Sequence, residues 1–213
     1  MIPLGDDNSL RKTVPIVTYV LIGINLFMFF LEVNIGEQFI INWSFVPSRF
    51  LANPLADFPT VFTAMFMHGS GGHILGNMIY LWIFGDNVED HLGKVKYLLF
   101  YLLCGIAATF AQLGFDPDSS IPNLGASGAI AGVLGAYLRL FPKQKVAVLL
   151  GRHITQIPAL AAIGFWFLLQ FVSTVGAWFS AHEGGGVAYM AHVGGFVAGF
   201  ALSLLVRRPP PEM

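Results

Sequence analysis

Four polar side chains lie within apolar stretches of this chain and are of types suited to hydrolysis. They are His73 and Asn77, four residues apart, together with Ser127 and His192. A serine hydroxyl becomes an effective nucleophile when a base removes its proton, and neutral histidine suits that role near neutral pH. Attack on a peptide carbonyl creates an oxyanion, which needs preorganised hydrogen-bond donors. We expect Ser127 as nucleophile and His192 as base, with the Ser127 backbone N–H, His73 and Asn77 as donors.

Each of these residues also has a structural explanation. Serine is common where small residues let two helices touch, and a buried histidine such as His192 is often bonded to a backbone carbonyl. His73 and Asn77 share a helix face, which suits a structural polar seam as well as a joint site. Polar groups in lipid are costly, so the set of four together favours a functional site.

The surroundings of the candidate nucleophile limit the mechanism. Gly125 and Gly128 flank Ser127 closely and allow a tight backbone turn and the approach of a substrate. The apolar spans offer no aspartate at the depth of His192 to orient its ring. We therefore expect a dyad and not a full triad.

Composition places these residues in a membrane protein. Of 213 residues, 55% are hydrophobic and 11% charged, too few polar side chains to cover a soluble globule of this size. A bilayer core needs about 20 helical residues to cross it. Four long apolar runs and two weaker ones predict six spans, at 14–31, 59–84, 95–113, 129–140, 157–179 and 187–206. We predict an all-α fold, a single six-transmembrane-helix bundle over residues 1–213.

Depth within the membrane can be counted from the inner end of each predicted helix. At about 1.5 Å per residue, His73 and Ser127 lie roughly 18 Å up and His192 about 22 Å up. Three residues from three helices thus share one level, below the outer surface of a core about 30 Å thick.

Basic residues predict the orientation. With the N-terminus inside, only Arg49 of the eleven basic residues lies outside. We therefore predict an integral protein of the plasma (inner) membrane with both termini cytoplasmic and residues 1–13 as a short tail.

Residues 34–58 are expected as an outer loop in the lipid interface, because aromatic side chains such as Trp43 favour the headgroup level. The glycine-rich stretch 180–186 is expected to move over the site.

The segments around the candidate site resemble those of the rhomboid family of intramembrane serine proteases. The similar segments are MHGSGGHILGNM at 67–78, GDNVED with a later glycine at 85–93, GASG at 125–128 and AHVGGFVAG at 191–199. Each segment alone is weakly diagnostic. Four in this order and at these separations are highly specific, and they span most of the chain.

This resemblance implies a six-helix core with a water-filled cavity open to the outer side. It implies Ser127 as nucleophile, His192 as general base, His73 and Asn77 as oxyanion contacts, and His68 in a supporting role. The substrates implied are single-span membrane proteins, cut near the outer face without any cofactor. Residues 180–186 resemble the mobile cap of the family, and the fifth span resembles its proposed lateral gate.

The chain departs from the family pattern at two places. Trp43 is followed by Ser44, where some members carry a Trp-Arg pair in the first outer loop. Ala131 stands where some members carry an aromatic residue that stacks on the histidine. The anchoring of the outer loop and the support of the His192 ring are therefore open questions.

Other functions are weaker alternatives. A catalytically inactive rhomboid-like protein that binds membrane clients is disfavoured by the intact Ser127 and His192. A transporter is disfavoured because the apolar spans lack a midplane carboxylate or lysine and no repeat is evident. The net charge of −1 argues against nucleic acid as a partner. A metal site is ranked last because no carboxylate supports the histidines. The sequence leaves the oligomeric state open.

Overall fold

The computed structural model describes residues 2–9, 11–179 and 188–209. The predicted cap at 180–186 lies outside these residues. The longer helices are α1 (Ile16–Ile35), α6 (Gly71–Leu92), α7 (Lys94–Phe115), α8 (Ser127–Leu140), α9 (Ala159–Phe179) and α10 (Tyr189–Ser203). Between the first two lie α2 (Glu37–Trp43), α3 (Pro47–Ala52), α4 (Pro54–Asp57), α5 (Thr60–Thr63) and a 3-10 turn (Ala64–Phe66). The chain is thus mostly helical, and the predicted outer loop 34–58 consists largely of short helices.

Three of the described helices are long and apolar enough to cross a membrane. They are α1, α7 and the Ala159–Gly176 part of α9. The helices α8 and α10 are apolar but have only 14 and 15 residues. The helix α6 has 22 residues but contains several polar ones. The structure therefore supports a membrane protein, while the count of six spans stays a prediction.

The second long helix begins later than predicted. The expected span was 59–84, but α6 begins at Gly71, after extended backbone at Met67. The Ser70 side chain caps α6 by accepting a hydrogen bond from the His73 backbone N–H at 3.2 Å. This cap places His73 in the first turn of the helix, at the end where the candidate site lies.

A three-stranded antiparallel sheet corrects the all-α prediction. Its strands β1 (Ile2–Asp6), β2 (Lys145–Leu150) and β3 (His153–Pro158) lie in the order β1-β2-β3. The side chains of Val146 and Val148 in β2 are fully buried, as alternation along a half-buried strand requires. The N-terminal residues expected as a tail thus begin as a strand, and the predicted start of the fifth span belongs to β3.

The sheet is attached to the helices through a partly buried carboxylate. Asp6 accepts hydrogen bonds from Asn87 Nδ2 at 2.5 Å and from the Tyr137 hydroxyl at 2.6 Å. These partners lie near the C-terminal ends of α6 and α8. Strand β1 is therefore fixed against one end of the bundle.

Residues near the beginning and near the end of the described chain lie at the same end of the helix bundle as β1. Arg11 forms an ion pair with Asp86 at 2.6 Å. The ring of His91 lies 2.7 Å from the carbonyl oxygen of Arg207, which follows α10. This arrangement agrees with a topology in which the two termini share one side of the membrane.

Helices α8 and α10 approach each other through glycines. A Cβ atom at Gly195 would lie 2.0 Å from the Gly128 carbonyl oxygen, and one at Gly199 would lie 2.0 Å from that of Gly132. Real Cβ atoms cannot come so close, so only glycine fits at these two positions. Close backbone contact brings the first turn of α8 against the first turn of α10.

Candidate active site

The side chains of Ser127 and His192 are in direct contact. The Oγ atom of Ser127 lies 2.7 Å from Nε2 of His192, although 65 residues separate them in the chain. Ser127 is the first residue of α8, and His192 lies in the first turn of α10. The glycine contacts between these two helices therefore position the pair.

The turn before Ser127 packs directly against His73. Gly125 has a φ of +131°, a conformation that residues with a side chain rarely adopt. A Cβ atom built on Gly125 would lie 2.9 Å from Cε1 and Nε2 of His73 and 3.4 Å from Ser127 Oγ. The Gly125 N–H donates to the Ala64 carbonyl at 2.9 Å, which fixes the turn. The ring of His73 thus lies beside the serine hydroxyl.

A buried chain of hydrogen bonds holds Asn77 near these groups. Asn77 Nδ2 lies 2.9 Å from Nε2 of His68, within hydrogen-bond distance. The backbone N–H of His68 donates to both carboxylate oxygens of Glu32, at 3.0 and 3.1 Å. The rings of His68 and His73 are 5.1 Å apart in an edge-to-face arrangement. The four side chains form one polar cluster beside Ser127.

Glu32 is a member of this cluster that sequence reasoning missed. Its side chain is 2% exposed, and it accepts hydrogen bonds from a loop 36 residues later in the chain. In the sequence it ends an apolar run, where a carboxylate reads as the polar end of a span. A buried acceptor for a loop N–H has no local signature in the sequence. The one available signal was the position of Glu32 near the C-terminal end of α1.

The other side of the His192 ring is contacted by α9. Nδ1 of His192 lies 2.7 Å from Oε1 of Gln170. The ring of Trp166, one helical turn earlier, is 5.9 Å from the His192 ring and tilted by 38°. An aromatic contact to the His192 ring, left open by the alanine at position 131, is therefore supplied by α9. Gln170 was not predicted, although it is a polar residue within the apolar fifth span.

Arg49 anchors the outer loop. Its guanidinium donates to the carbonyl oxygens of Ile41 at 2.8 Å and Ser44 at 2.6 Å. It also forms a 2.6 Å ion pair with Asp57. The outer loop, which lacks the Trp-Arg pair, is thus anchored by an arginine five residues after Ser44.

The outer loop is also hydrogen-bonded to the segment that precedes Ser127. Phe45 and Asn123 exchange both backbone hydrogen bonds, at 3.0 and 2.7 Å. A cavity of about 40 Å³ lies beneath this bridge and borders Ser127, Gly128 and Gln112. It is large enough to hold a water molecule next to the serine.

No group of three or more His, Cys, Asp or Glu side chains within residues 2–9, 11–179 and 188–209 is placed to hold a metal ion. The histidines near Ser127 are engaged with serine, glutamine, asparagine or one another. The contact between Ser127 and His192 allows a proton to pass between the serine hydroxyl and the imidazole ring.

Comparison with known proteins identifies similar sequences. Residues 56–209 match the family model of the Rhomboid domain. The rhomboid protease GluP of Bacillus subtilis is 31% identical over 196 residues, which are 89% of this chain and 35% of that protein. Rhomboid protein 1, mitochondrial, of Saccharomyces cerevisiae is 28% identical over 189 residues, 85% of this chain and 50% of that protein.

A third relative is the rhomboid protease GlpG of Salmonella newport. It is 26% identical over 201 residues, which are 92% of this chain and 65% of that protein. The chain therefore spans between about a third and two thirds of the length of these three relatives.

Proposed function

Because the chain belongs to the rhomboid family, we propose that it is a serine endopeptidase that cleaves peptide bonds within the membrane. The observation that carries this proposal is the 2.7 Å contact between Ser127 Oγ and His192 Nε2. A hydroxyl at this distance from an imidazole nitrogen is within reach for direct proton transfer. Two of the similar proteins bear the name rhomboid protease, which agrees with the proposal.

The first half of the reaction forms an acyl-enzyme. Ser127 Oγ attacks the carbonyl carbon of the scissile bond while its proton passes to His192 Nε2. The tetrahedral intermediate collapses, the C–N bond breaks, and His192 gives the proton to the leaving amine. The carboxyl part of the substrate remains as an ester on Ser127.

The second half is hydrolysis of that ester. A water molecule gives a proton to His192 Nε2 as its oxygen attacks the ester carbonyl carbon. The bond between that carbon and Ser127 Oγ then breaks, His192 returns the proton to Oγ, and the carboxylic acid product is released. The cavity bordering Ser127 and Gln112 is a suitable place for this water.

The oxyanion formed in each half needs donors. The backbone N–H of Ser127 is the first of α8, where N–H groups have no partner within the helix. The ring of His73 lies beside the hydroxyl across Gly125. The amide of Asn77 has a second N–H in addition to the one bonded to His68. We assign His73 and Asn77 as oxyanion contacts, each worth roughly 3 to 4 kcal/mol of transition-state stabilisation if it acts as such donors usually do.

His68, Gly125 and Gly128 have supporting roles in this proposal. His68 holds the amide of Asn77 and is itself held by Glu32. Gly125 allows the turn before the nucleophile, and Gly128 allows the close contact of α8 with α10. No cofactor or metal takes part in the steps above.

We further propose that the substrates are single-span membrane proteins, cut near the outer face. The supporting arguments are the six predicted spans of one domain, the shared depth of Ser127, His73 and His192, and the surrounding lipid, which limits access to soluble chains. The excess of basic residues on one side favours the plasma (inner) membrane with both termini cytoplasmic. One relative is mitochondrial by name, so a mitochondrial membrane is the alternative location.

Cleavage of a defined substrate tests the proposal. The full chain in proteoliposomes is mixed with a single-span reporter protein, and products are located by mass spectrometry. We expect cleavage near the outer boundary by the wild type and none by Ser127→Ala or His192→Ala. Ser9→Ala and His153→Ala, exposed positions remote from the site, are the matched controls and should cleave normally. A reporter that binds but is never cut would favour a client-binding protein instead.

A further inference from the structure

Both ring nitrogens of His192 have side-chain partners. Nε2 lies 2.7 Å from the hydroxyl oxygen of Ser127, and Nδ1 lies 2.7 Å from Oε1 of Gln170. Gln170 is 22 residues earlier in the chain, on α9, and packs against a histidine of α10. The ring is thus held at two points by two different helices.

The chemistry of the two contacts determines the position of the proton. A glutamine carbonyl oxygen can only accept a hydrogen bond, so this contact is a hydrogen bond only when Nδ1 of His192 carries the hydrogen. Nε2 then has a free lone pair directed at the Ser127 hydroxyl, as a general base requires. The opposite tautomer would point an N–H at Ser127 Oγ and leave no base.

We propose that Gln170 is a positioning residue that fixes the tautomer and orientation of His192, as the neutral third member of a Ser127–His192–Gln170 arrangement. This inference rests on the proposed function of the Ser127–His192 pair. It extends that proposal because the sequence led us to expect a dyad without an orienting carboxylate and left the support of the His192 ring open.

A neutral third member fits the surroundings better than a carboxylate. A carboxylate transferred from water to an apolar helix bundle carries a large desolvation penalty unless it is fully paired. A glutamine amide offers the same acceptor geometry at much smaller penalty. In exchange, an amide stabilises the imidazolium formed during attack less than a full negative charge would.

The second contact from α9 supports the same role. Trp166 lies one turn before Gln170, so both side chains are on one face of the helix. The indole ring is 5.9 Å from the His192 ring. The ring is therefore held by a hydrogen bond at Nδ1 and by packing against its side, and both depend on the position of α9.

Substitutions at Gln170 test the role kinetically. Gln170→Leu keeps the approximate volume but removes the acceptor, so kcat for reporter cleavage should fall about 10- to 100-fold with KM unchanged. Gln170→Glu restores the acceptor and should recover most of kcat. It should also move the acidic limb of the pH–rate profile to higher pH, because a carboxylate favours protonated His192. Gln156→Leu, at an exposed position of β3, is the control and should behave as wild type.

A spectroscopic readout separates this inference from the proposed function. Protein labelled with ¹⁵N-histidine in nanodiscs reports the tautomer of each ring, and His192→Asn identifies the His192 signals. We expect hydrogen at Nδ1 in the wild type and a mixture of tautomers in Gln170→Leu. Hydrogen at Nε2 in the wild type, or an unchanged tautomer in a folded Gln170→Leu, would overturn the inference even if no substrate were cleaved. Cleavage failing in the wild type while the tautomer shifts as expected would instead refute the proposed function.

Discussion

A Cβ atom at Gly125 would lie 2.9 Å from both Cε1 and Nε2 of His73. The turn leading to Ser127 and the first turn of α6 therefore touch with no room for a side chain. The φ of +131° at Gly125 adds a second reason why only glycine fits there. Any larger residue must displace His73, Ser127 or both.

Gly125→Ala tests this contact. The substitution combines backbone strain with a clash, and a displacement of about 1 Å at a reacting group can reduce the rate about 100-fold. We expect kcat for reporter cleavage to fall by about that factor. Gly23→Ala, on α1, is the matched control because a Cβ atom there meets nothing within 4 Å. Equal activity of the two variants would mean that the turn adapts and that the contact does not position the site.

The packing of α8 against α10 gives a prediction on stability. Gly199→Ala would insert a methyl group 2.0 Å from the Gly132 carbonyl oxygen, so the helices must separate. Overpacking of this kind costs typically about 1 to 3 kcal/mol. Thermal unfolding in detergent should show a lower Tm than for the wild type. Gly164→Ala on α9, where a Cβ atom meets nothing within 4 Å, should leave the Tm nearly unchanged.

The outer loop should depend on the Arg49 guanidinium. Arg49→Ala removes the donors to Ile41 and Ser44 and the partner of Asp57. We expect faster amide hydrogen exchange over residues 37–57, measured by mass spectrometry. Arg49→Lys keeps the charge but cannot reach three partners at once, so it should give only partial protection. If exchange in this region is the same in both variants and the wild type, Arg49 does not hold the loop.

The attachment of β1 should depend on pH through Asp6. Burial raises the pKa of this carboxyl from 3.8 to about 6, and Asp86 adds to the increase, while hydrogen bonds from Tyr137 and Asn87 oppose it. The folded state therefore binds the proton more tightly than the unfolded state. The stabilisation from Asp6 is complete below about pH 4 and is lost as the pH rises through about 6.

Comparison of the wild type with Asp6→Asn measures this effect. Other groups at this end of the bundle, including the Arg11–Asp86 ion pair, are present in both proteins, so the difference isolates Asp6. Between pH 4 and pH 7, we expect the Tm of the wild type to fall by more than the Tm of Asp6→Asn. Parallel pH profiles for the two proteins would show that Asp6 titrates normally.

The residues around Ser127 were accessible to sequence reasoning because the membrane makes polar groups expensive. Ser127, His192, His73 and Asn77 stood out for that reason, and the structure brings them into one cluster. Gln170 is also a polar residue within an apolar span. It was not predicted because its side chain is neutral and is not itself a nucleophile, a base or an anion ligand. Its significance depends on the position of α9 relative to His192, which no local pattern specifies.

The sheet was missed for a different reason. Strand β1 pairs with β2 across 140 to 147 residues, from Asp6 with Val146 to Ile2 with Leu149. Six-residue strands such as β2 are short enough to be taken for loops between apolar spans. The late start of α6 was missed because the cap formed by Ser70 lies within a run that is apolar enough to suggest one continuous helix.

Covalent labelling tests most directly whether Ser127 is a nucleophile activated by His192. A serine-directed fluorophosphonate reacts with an activated hydroxyl and needs no knowledge of the substrate. The reaction is run on the wild type, Ser127→Ala, His192→Ala and the control Ser9→Ala, and the modified residue is located by mass spectrometry. We predict labelling at Ser127 in the wild type and the control, none in Ser127→Ala and very little in His192→Ala. Equal labelling of the wild type, Ser127→Ala and His192→Ala would contradict the claim.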